Sequence, residues 1–393
     1  MEQKKSIYLD NSATTKICDE ALLKYNEVSK FCYGNPSSLH SLGLAAEKEL
    51  NTARAAILSS IGEKDSSVIF TASGSEANNL AIIGRALSKE RYKRGAKIIT
   101  TEGEHASVSS PFEKLSSLGF NCVKIPTKDG KIDTGSLIKE MTPDVILISI
   151  MMVNNETGAL YDVAAVSKIM REKAPESILH VDATQSYMKI KFTKRTLGAD
   201  MITLSSHKIE GPKGVGALVV DSKIIKNKGL SPLILGGGQE GGLRSGTENV
   251  PAIAAFGEAV RIGHANIEKN FEKLSSLRNY LIEKLTNTAE LSDISITAPE
   301  SHAPHILNIT LPGIKSETAL HYLSSLGIYV SSGSACSSNT NHTSSALTAY
   351  GRSAAEADSS IRISFSHRNE KEDVDALCDG LISALKKLAR IRK

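Results

Sequence analysis

At 393 residues, 40% hydrophobic and 23% charged, the chain is a globular protein larger than one ordinary core, and two domains are expected. A net charge of +4 gives no nucleic-acid footprint; the basic end from Lys386 to Lys393 instead completes a helix whose C-terminus favours cations. The longest apolar run, residues 145–153, is too short to span a bilayer. Asp10 interrupts anything resembling a signal segment, and five scattered cysteines without a C-x-x-C pair argue against a disulfide framework or zinc site, so a reducing cytoplasm is expected.

In chain order, residues 68–71, 97–100, 145–150, 177–181, 201–204 and 216–220 read as strands, with helices predicted at 77–91 and 163–173 among the segments between. The strand segments are apolar without alternation, which implies a largely parallel sheet covered on both faces in an α/β domain. A charged helical pattern over 261–285 leaves this domain. A smaller α+β region follows, ending in a helix from about residue 370. We expect a large unit at 16–262 and a small one made of 1–15 and 263–393. Residues 331–353, dense in Ser, Gly, Asn and Thr, read as a loose segment around Cys336.

Two strand ends carry the strongest chemical signal. The run Ile178 to Val181 leads into Asp182, and Met201 to Leu204 leads into Ser205-Ser206-His207-Lys208. Pyridoxal phosphate needs such a pair: a lysine for the Schiff base, and a carboxylate that keeps the pyridine nitrogen protonated so that the ring acts as an electron sink. Ligands of parallel α/β sheets bind beyond the carboxyl ends of the strands, and three further ends carry suitable groups. Ser73-Gly74-Ser75 opens a helix and suits either a phosphate or a plain cap. Glu104-His105 offers an imidazole that either stacks on a ring and moves protons or is structural. Asn154-Asn155 suits a ring oxygen, a substrate carboxylate or a simple turn. Gln185, three residues after Asp182, reaches toward the phenolic oxygen. Ser205 and His207 suit the phosphate, and Gly236 to Thr247 forms another glycine-rich turn, a flexible loop by default.

Four segments, His180 to Gln185, Ser205 to Lys208, Arg244 to Thr247 and Ser332 to Ser338, together with Tyr8 to Thr15 and Ile361 to Ser364, strongly resemble the cysteine desulfurases. These are pyridoxal-phosphate enzymes of fold type I in the class-V aminotransferase group. The resemblance implies a Schiff base at Lys208, a pyridinium partner at Asp182, a phenolic-oxygen partner at Gln185 and a stacking, catalytic His105. It implies a phosphate cup of Gly74, Ser75, Ser205 and His207, with Thr247 reaching the phosphate of a neighbouring subunit in a homodimer. Asn155 and Arg362 would bind substrate, Arg362 as a bidentate clamp on the carboxylate, with Asn35 at the same end.

Cys336 resembles the nucleophile that takes sulfur from L-cysteine as a persulfide, leaving alanine. The long span from Cys336 to Arg362 resembles the mobile loop of the group I enzymes, which serve iron–sulfur assembly and tRNA thiolation. The resemblance implies a sulfur-acceptor protein as partner. It implies no resident metal beyond transient ligation of an iron–sulfur cluster by Cys336, and no direct contact with membrane or nucleic acid. Ser73, Ser75, Met152 and Gly241 depart from the family pattern, and the sequence stops at Lys393 without the extended tail some relatives use for docking; these differences leave the acceptor open. A selenocysteine lyase or aminotransferase on the same fold, or a non-catalytic platform that binds the cofactor, are the alternatives. The Cys336 motif weighs against an aminotransferase.

Overall fold

The structure, a computed structural model, describes residues 6–88, 96–332 and 344–388. Its centre is a seven-stranded sheet: β1 (Ser66–Thr71), β2 (Lys97–Thr101), β3 (Asn121–Ile125), β4 (Val145–Met151), β5 (Ile178–Asp182), β6 (Met201–Ser205) and β7 (Gly216–Asp221). The order across the sheet is β1-β7-β6-β5-β4-β2-β3. Every pairing is parallel except those of β7, which runs antiparallel to both β1 and β6. All seven residues of β4 are buried, as an unalternating apolar run requires when helices cover both faces. Each large side chain so buried contributes about 1.5–3 kcal/mol.

Helices pack on both faces. On one side Ser41–Ser60 and Val250–Ala265 close over Val181 and Ile202; on the other, Gly74–Ala86 and Ala106–Ser117 cover Ile98, Leu147 and Leu218. A separate core gathers Leu277, Leu281, Ile309, Ile363 and Leu377 with Ile7 and Leu9 from the start of the chain. It lies around an antiparallel sheet of Ser295–Thr297, Ile306–Thr310, Ser360–Ser364 and Ser331–Ser332. The first residues join it because Ile7 and Tyr8 pair with Ile328 and Tyr329, and Asn11 N–H donates to the Ser364 carbonyl.

Three local expectations are corrected. The helix predicted at 77–91 begins earlier, at Gly74, because Ser73 caps it through its side chain, and it ends at Ala86. The pattern over 261–285 is two helices, Val250–Ala265 and Ile267–Asn287. They break at Asn266, whose amide side chain and backbone N–H both turn back to the Ile262 carbonyl and close the first helix. The described part of the 331–353 segment is ordered: Ser344 and Ser353 are N-caps of the short helices Ser345–Tyr350 and Ala354–Asp358, so serines that read as loop are helix starts. Cys336 lies outside the described residues.

Candidate active site

The carboxyl ends of β1, β2, β4, β5 and β6 open onto one cavity of about 790 Å³. Ser12 and Ala13 from the start of the chain, and Arg362 from the small sheet, complete its wall. Gly74 stands in a tight place: a Cβ there would sit 3.1 Å from Ser205 Cβ and 3.3 Å from Thr184 Oγ1, so these side chains would have to give by a few tenths of an ångström. The backbone at the helix N-terminus therefore comes close to the end of β6. Glu76 N–H is satisfied by Ser73 Oγ, so the turn is a cap and a cavity wall at once. The first amides of a helix have no partner within it, and with the Ser75 and Ser205 hydroxyls, which line the cavity beside them, they could hold an anion.

Opposite the helix, Lys208 Nζ donates to the carbonyls of Ser12 (2.5 Å) and Ala13 (2.9 Å). Gln185 Nε2 donates to the same Ser12 carbonyl at 3.0 Å. Both oxygens of Asp182 are fixed, Oδ1 by Thr184 N–H (2.9 Å) and Oδ2 by Asn78 Nδ2 (2.8 Å). Asn78 also donates to Ser107 Oγ, and Ser107 lies 2.8 Å from His105 Nδ1. Ser107 N–H donates to that same Nδ1, which assigns the proton of the neutral ring to Nε2. Asp182 and His105 are thus coupled through Asn78 and Ser107.

Arg362 is buried with its fork largely committed. One terminal nitrogen donates to the Asn155 carbonyl and the other to Asp10 Oδ1, each at 2.9 Å. Its Nε has no partner among the described residues; neither do Ser12 Oγ, Asn78 Oδ1 and Glu104 Oε2, all on residues of this cavity. A ligand in this cavity would give these four atoms partners.

Burial dominates the electrostatics. It lowers the Lys208 amine to about 8, helped by the Arg362 and Lys189 cations and opposed by Asp10 and Asp182. An amine near neutrality is partly free to act as nucleophile or base. Burial also lowers His105, and takes His207 down to about 4 with help from Lys208, Lys213 and Lys189. Glu104, wholly buried, rises to about 8 despite donors from Thr101 Oγ1 and Met151 N–H.

Of the residues singled out in the sequence, Gly74, Ser75, His105, Asn155, Asp182, Gln185, Ser205, His207, Lys208 and Arg362 line this cavity. Thr247 and Asn35 do not line it; both are exposed. The glycine-rich turn before Thr247 is anchored, not loose: Glu240 is buried against Arg54 and the Phe70 N–H, and Arg244 pairs with Glu76. Gly238, Gly241, Gly242 and Gly246 supply the left-handed φ that this path needs. Sequence reasoning gave no role to Asn78, Ser107 or Asp10. Asn78 had one available signal: it stands four residues after Gly74, on the same helix face.

A lysine, an acid, a helix N-terminus and a buried arginine at the ends of a mostly parallel sheet in this strand order define a fold type I pyridoxal-phosphate enzyme. The donor set fits that cofactor: an anion site for its phosphate, an acid for its ring nitrogen and an amine for its aldehyde. The class-V aminotransferase family matches residues 7–377. A NifS/IcsS protein homolog of Lactobacillus delbrueckii subsp. bulgaricus is 40% identical over 380 residues, covering 94% of each chain. The cysteine desulfurase IscS of Dictyoglomus turgidum is 36% identical over 390 residues, 99% of this chain and 96% of that one. A solved NifS-like protein superposes with a TM-score of 0.89 at 34% identity, over 97% of this chain and all of the other. The chain belongs to the class-V aminotransferase family.

Proposed function

We infer that the chain is a pyridoxal-phosphate-dependent L-cysteine desulfurase that converts L-cysteine to L-alanine and passes the sulfur to an acceptor through a persulfide on Cys336. The observation that carries this reading is the meeting of Lys208, Asp182 and Arg362 in one cavity, with the Arg362 Nε still unspent. When bound, the cofactor supplies an electron sink for the substrate Cα. Asp182, held by Asn78 and Thr184, would take the ring nitrogen, His105 would stack on the ring, and Gln185 would turn from the Ser12 carbonyl to the phenolic oxygen. Gly74, Ser75, Ser205 and His207 would hold the phosphate. Arg362, oriented by Asp10, clamps the substrate carboxylate, and Asn155 and Asn35 support that end. Lys208 Nζ would hold the cofactor and, once freed, would serve as the base for the Cα proton. Cys336 thiolate attacks the substrate sulfur: the S–S bond forms as the C–S bond breaks, the carbon end is protonated, and alanine leaves.

Purified protein given L-cysteine and dithiothreitol should release sulfide and alanine in equal amounts. Absence of both products rules the reading out. Comparing selenocysteine as substrate tests the lyase alternative: a preference for L-cysteine rules it out, and turnover of selenocysteine alone supports it.

Ser75→Ala should be mild by comparison. A hydrogen bond to a charged group is worth about 1.5–3 kcal/mol, and other groups share the phosphate. Pyridoxal phosphate should be retained less well, with turnover restored by added cofactor. Loss that excess cofactor cannot repair contradicts the shared cup.

The protein acts as a homodimer whose Thr247 completes the partner's phosphate site. Supporting this, Thr247 and Asn35 are exposed beyond the cavity, and apolar side chains near them in sequence are bare: Tyr33 is 71% exposed, Leu39 94% and Leu235 80%. Thr247→Ala should weaken cofactor binding and make it depend more steeply on protein concentration. A fully active monomer in light scattering excludes this. The acceptor is an iron–sulfur scaffold or a tRNA-thiolation enzyme. No helix among the described residues is long and apolar enough to cross a membrane, and the reducing chemistry of a persulfide suits the cytoplasm. In domain terms, 16–262 form the cofactor-binding unit, and 1–15 with 263–393 the unit that carries Cys336.

A further inference from the structure

The Lys208 turn is gripped from both sides. On the cavity side the amine rests on Ser12 and Ala13. On the far side Lys189 Nζ donates to the Lys208 carbonyl at 2.6 Å. Lys189 is 9% exposed, and its burial lowers its amine to about 8. It stands at the wall of a second cavity of about 370 Å³, lined also by Thr15, Cys18, Glu210, Lys273 and His367. Other contacts hold the turn's neighbours: Thr15 N–H donates to the His207 carbonyl, and Glu210 N–H donates to Thr15 Oγ1. Among these contacts, only Lys189 brings a charge to the Lys208 backbone.

A buried amine needs a compensating partner, and a neutral carbonyl is a weak one. The anion facing Lys189 is Glu210, itself shared with His367 (3.1 Å) and Arg368 (3.0 Å). The charged groups acting on Lys208 are Arg362 and Lys189 as cations and Asp10 and Asp182 as anions. Arg362 and Asp10 already neutralise one another at 2.9 Å. Lys189 has no such close partner among the described residues, so its field reaches Lys208 less cancelled.

We propose that Lys189 is the positioning residue for Lys208: seated behind the turn, it holds the Lys208 carbonyl and sets a cation against the amine that works in the cavity. This rests on the reading of Lys208 as the working amine. The carbonyl contact fixes the backbone from which the side chain reaches the cavity, and the charge favours the neutral amine over the ammonium. Lys189 itself lines the second cavity and not the one into which Lys208 opens.

The full-length chain, prepared without pyridoxal phosphate, is labelled with limiting acetic anhydride across a pH series. Acetylation at Lys208 is read by mass spectrometry against the exposed Lys168. Lys189→Met and Lys189→Gln should move the Lys208 midpoint upward and slow its labelling at pH 8 roughly two- to fivefold, about fivefold corresponding to one unit of pKa for an amine that starts near that pH. Lys189→Arg keeps the charge and the donor and should track the wild type, while Lys168 should not move in any variant. Folded Met and Gln variants with an unchanged Lys208 midpoint overturn the proposal, as does an Arg variant that shifts as far as Met. If the Met and Gln proteins do not fold, NMR of wild-type protein carrying [ε-13C]lysine decides. Coupling requires each amine's titration curve to show the other's step, and two independent single steps refute it. Should wild-type Lys208 label no more readily than Lys168 near pH 8, the failure lies in the reading of Lys208, not in the role of Lys189.

Discussion

Lys208→Ala should abolish both the covalent hold on pyridoxal phosphate and turnover. Among the described residues no other lysine lines the cavity, so none of them is placed to substitute. On the proposed reading, the change removes the group that attaches the cofactor and the base that takes the Cα proton. A positioned acid–base group alone is worth about 10²- to 10⁴-fold in rate. It also leaves the Ser12 carbonyl with only the Gln185 amide and the Ala13 carbonyl without its amine donor. Cofactor should remain only through the phosphate cup and Asp182, and should wash out on gel filtration. Borohydride treatment followed by peptide mapping checks the result; a reduced, covalently linked cofactor in the variant would show that another lysine does the work.

Cys336→Ala should separate substrate binding from sulfur transfer. The variant keeps Lys208, Asp182 and Arg362, so adding L-cysteine should still change the cofactor's absorption spectrum before the reaction stalls. No persulfide should form, and alanine should appear only at trace rates. The other cysteines give this expectation its edge. Burial raises Cys18, and takes Cys122 and Cys378 up to about 11, so all three are held as thiols, the unreactive form. Cys32 is half-buried and packs against the large core. Wild-type protein treated with L-cysteine should therefore carry one reducible sulfur on the Cys336 peptide. Mass spectrometry that finds it on any of the other four, or near-normal sulfide release from the variant, refutes the assignment.

What the sequence made legible follows from how local each signal is. The large sheet could be read because strands buried on both faces are plain apolar runs, and β4 and β5 lie within a residue or two of their predicted ends. The helices Asp19–Phe31 and Ser41–Ser60 were not read. Their apolar residues, including Leu22, Leu23, Leu42 and Leu44, fall on exposed as well as buried faces and blur the helical period. At the site, residues next to a strand end announce themselves, as Asp182 and Lys208 do. Partners brought in from afar do not. Asn78 meets Asp182 across 104 positions, and nothing near either residue signals the other. Lys189 was passed over because a lone lysine normally reads as solvated surface, although its neighbours Tyr187, Met188 and Ile190 are apolar; the fold shows that it is sealed in behind Lys208.

The bond between Asp10 and Arg362 spans 352 positions, and the loop between the Gln185 amide and Ser12 spans 173. Such pairs give the site a schedule during synthesis. The strands from β1 to β7 are complete once residue 221 has emerged, so the sheet can form while the chain is still growing. The substrate end cannot, because Asp10 waits through almost the whole of translation for the strand that carries Arg362. The entropy of closing so long a loop grows only as the logarithm of its length, so the closure is late rather than prohibitively costly. A ribosome-bound chain can thus gather the lysine and the acid before it has an oriented arginine. If Arg362 is the substrate clamp proposed above, the chain becomes able to select an amino acid only after Asp10 and Arg362 have met.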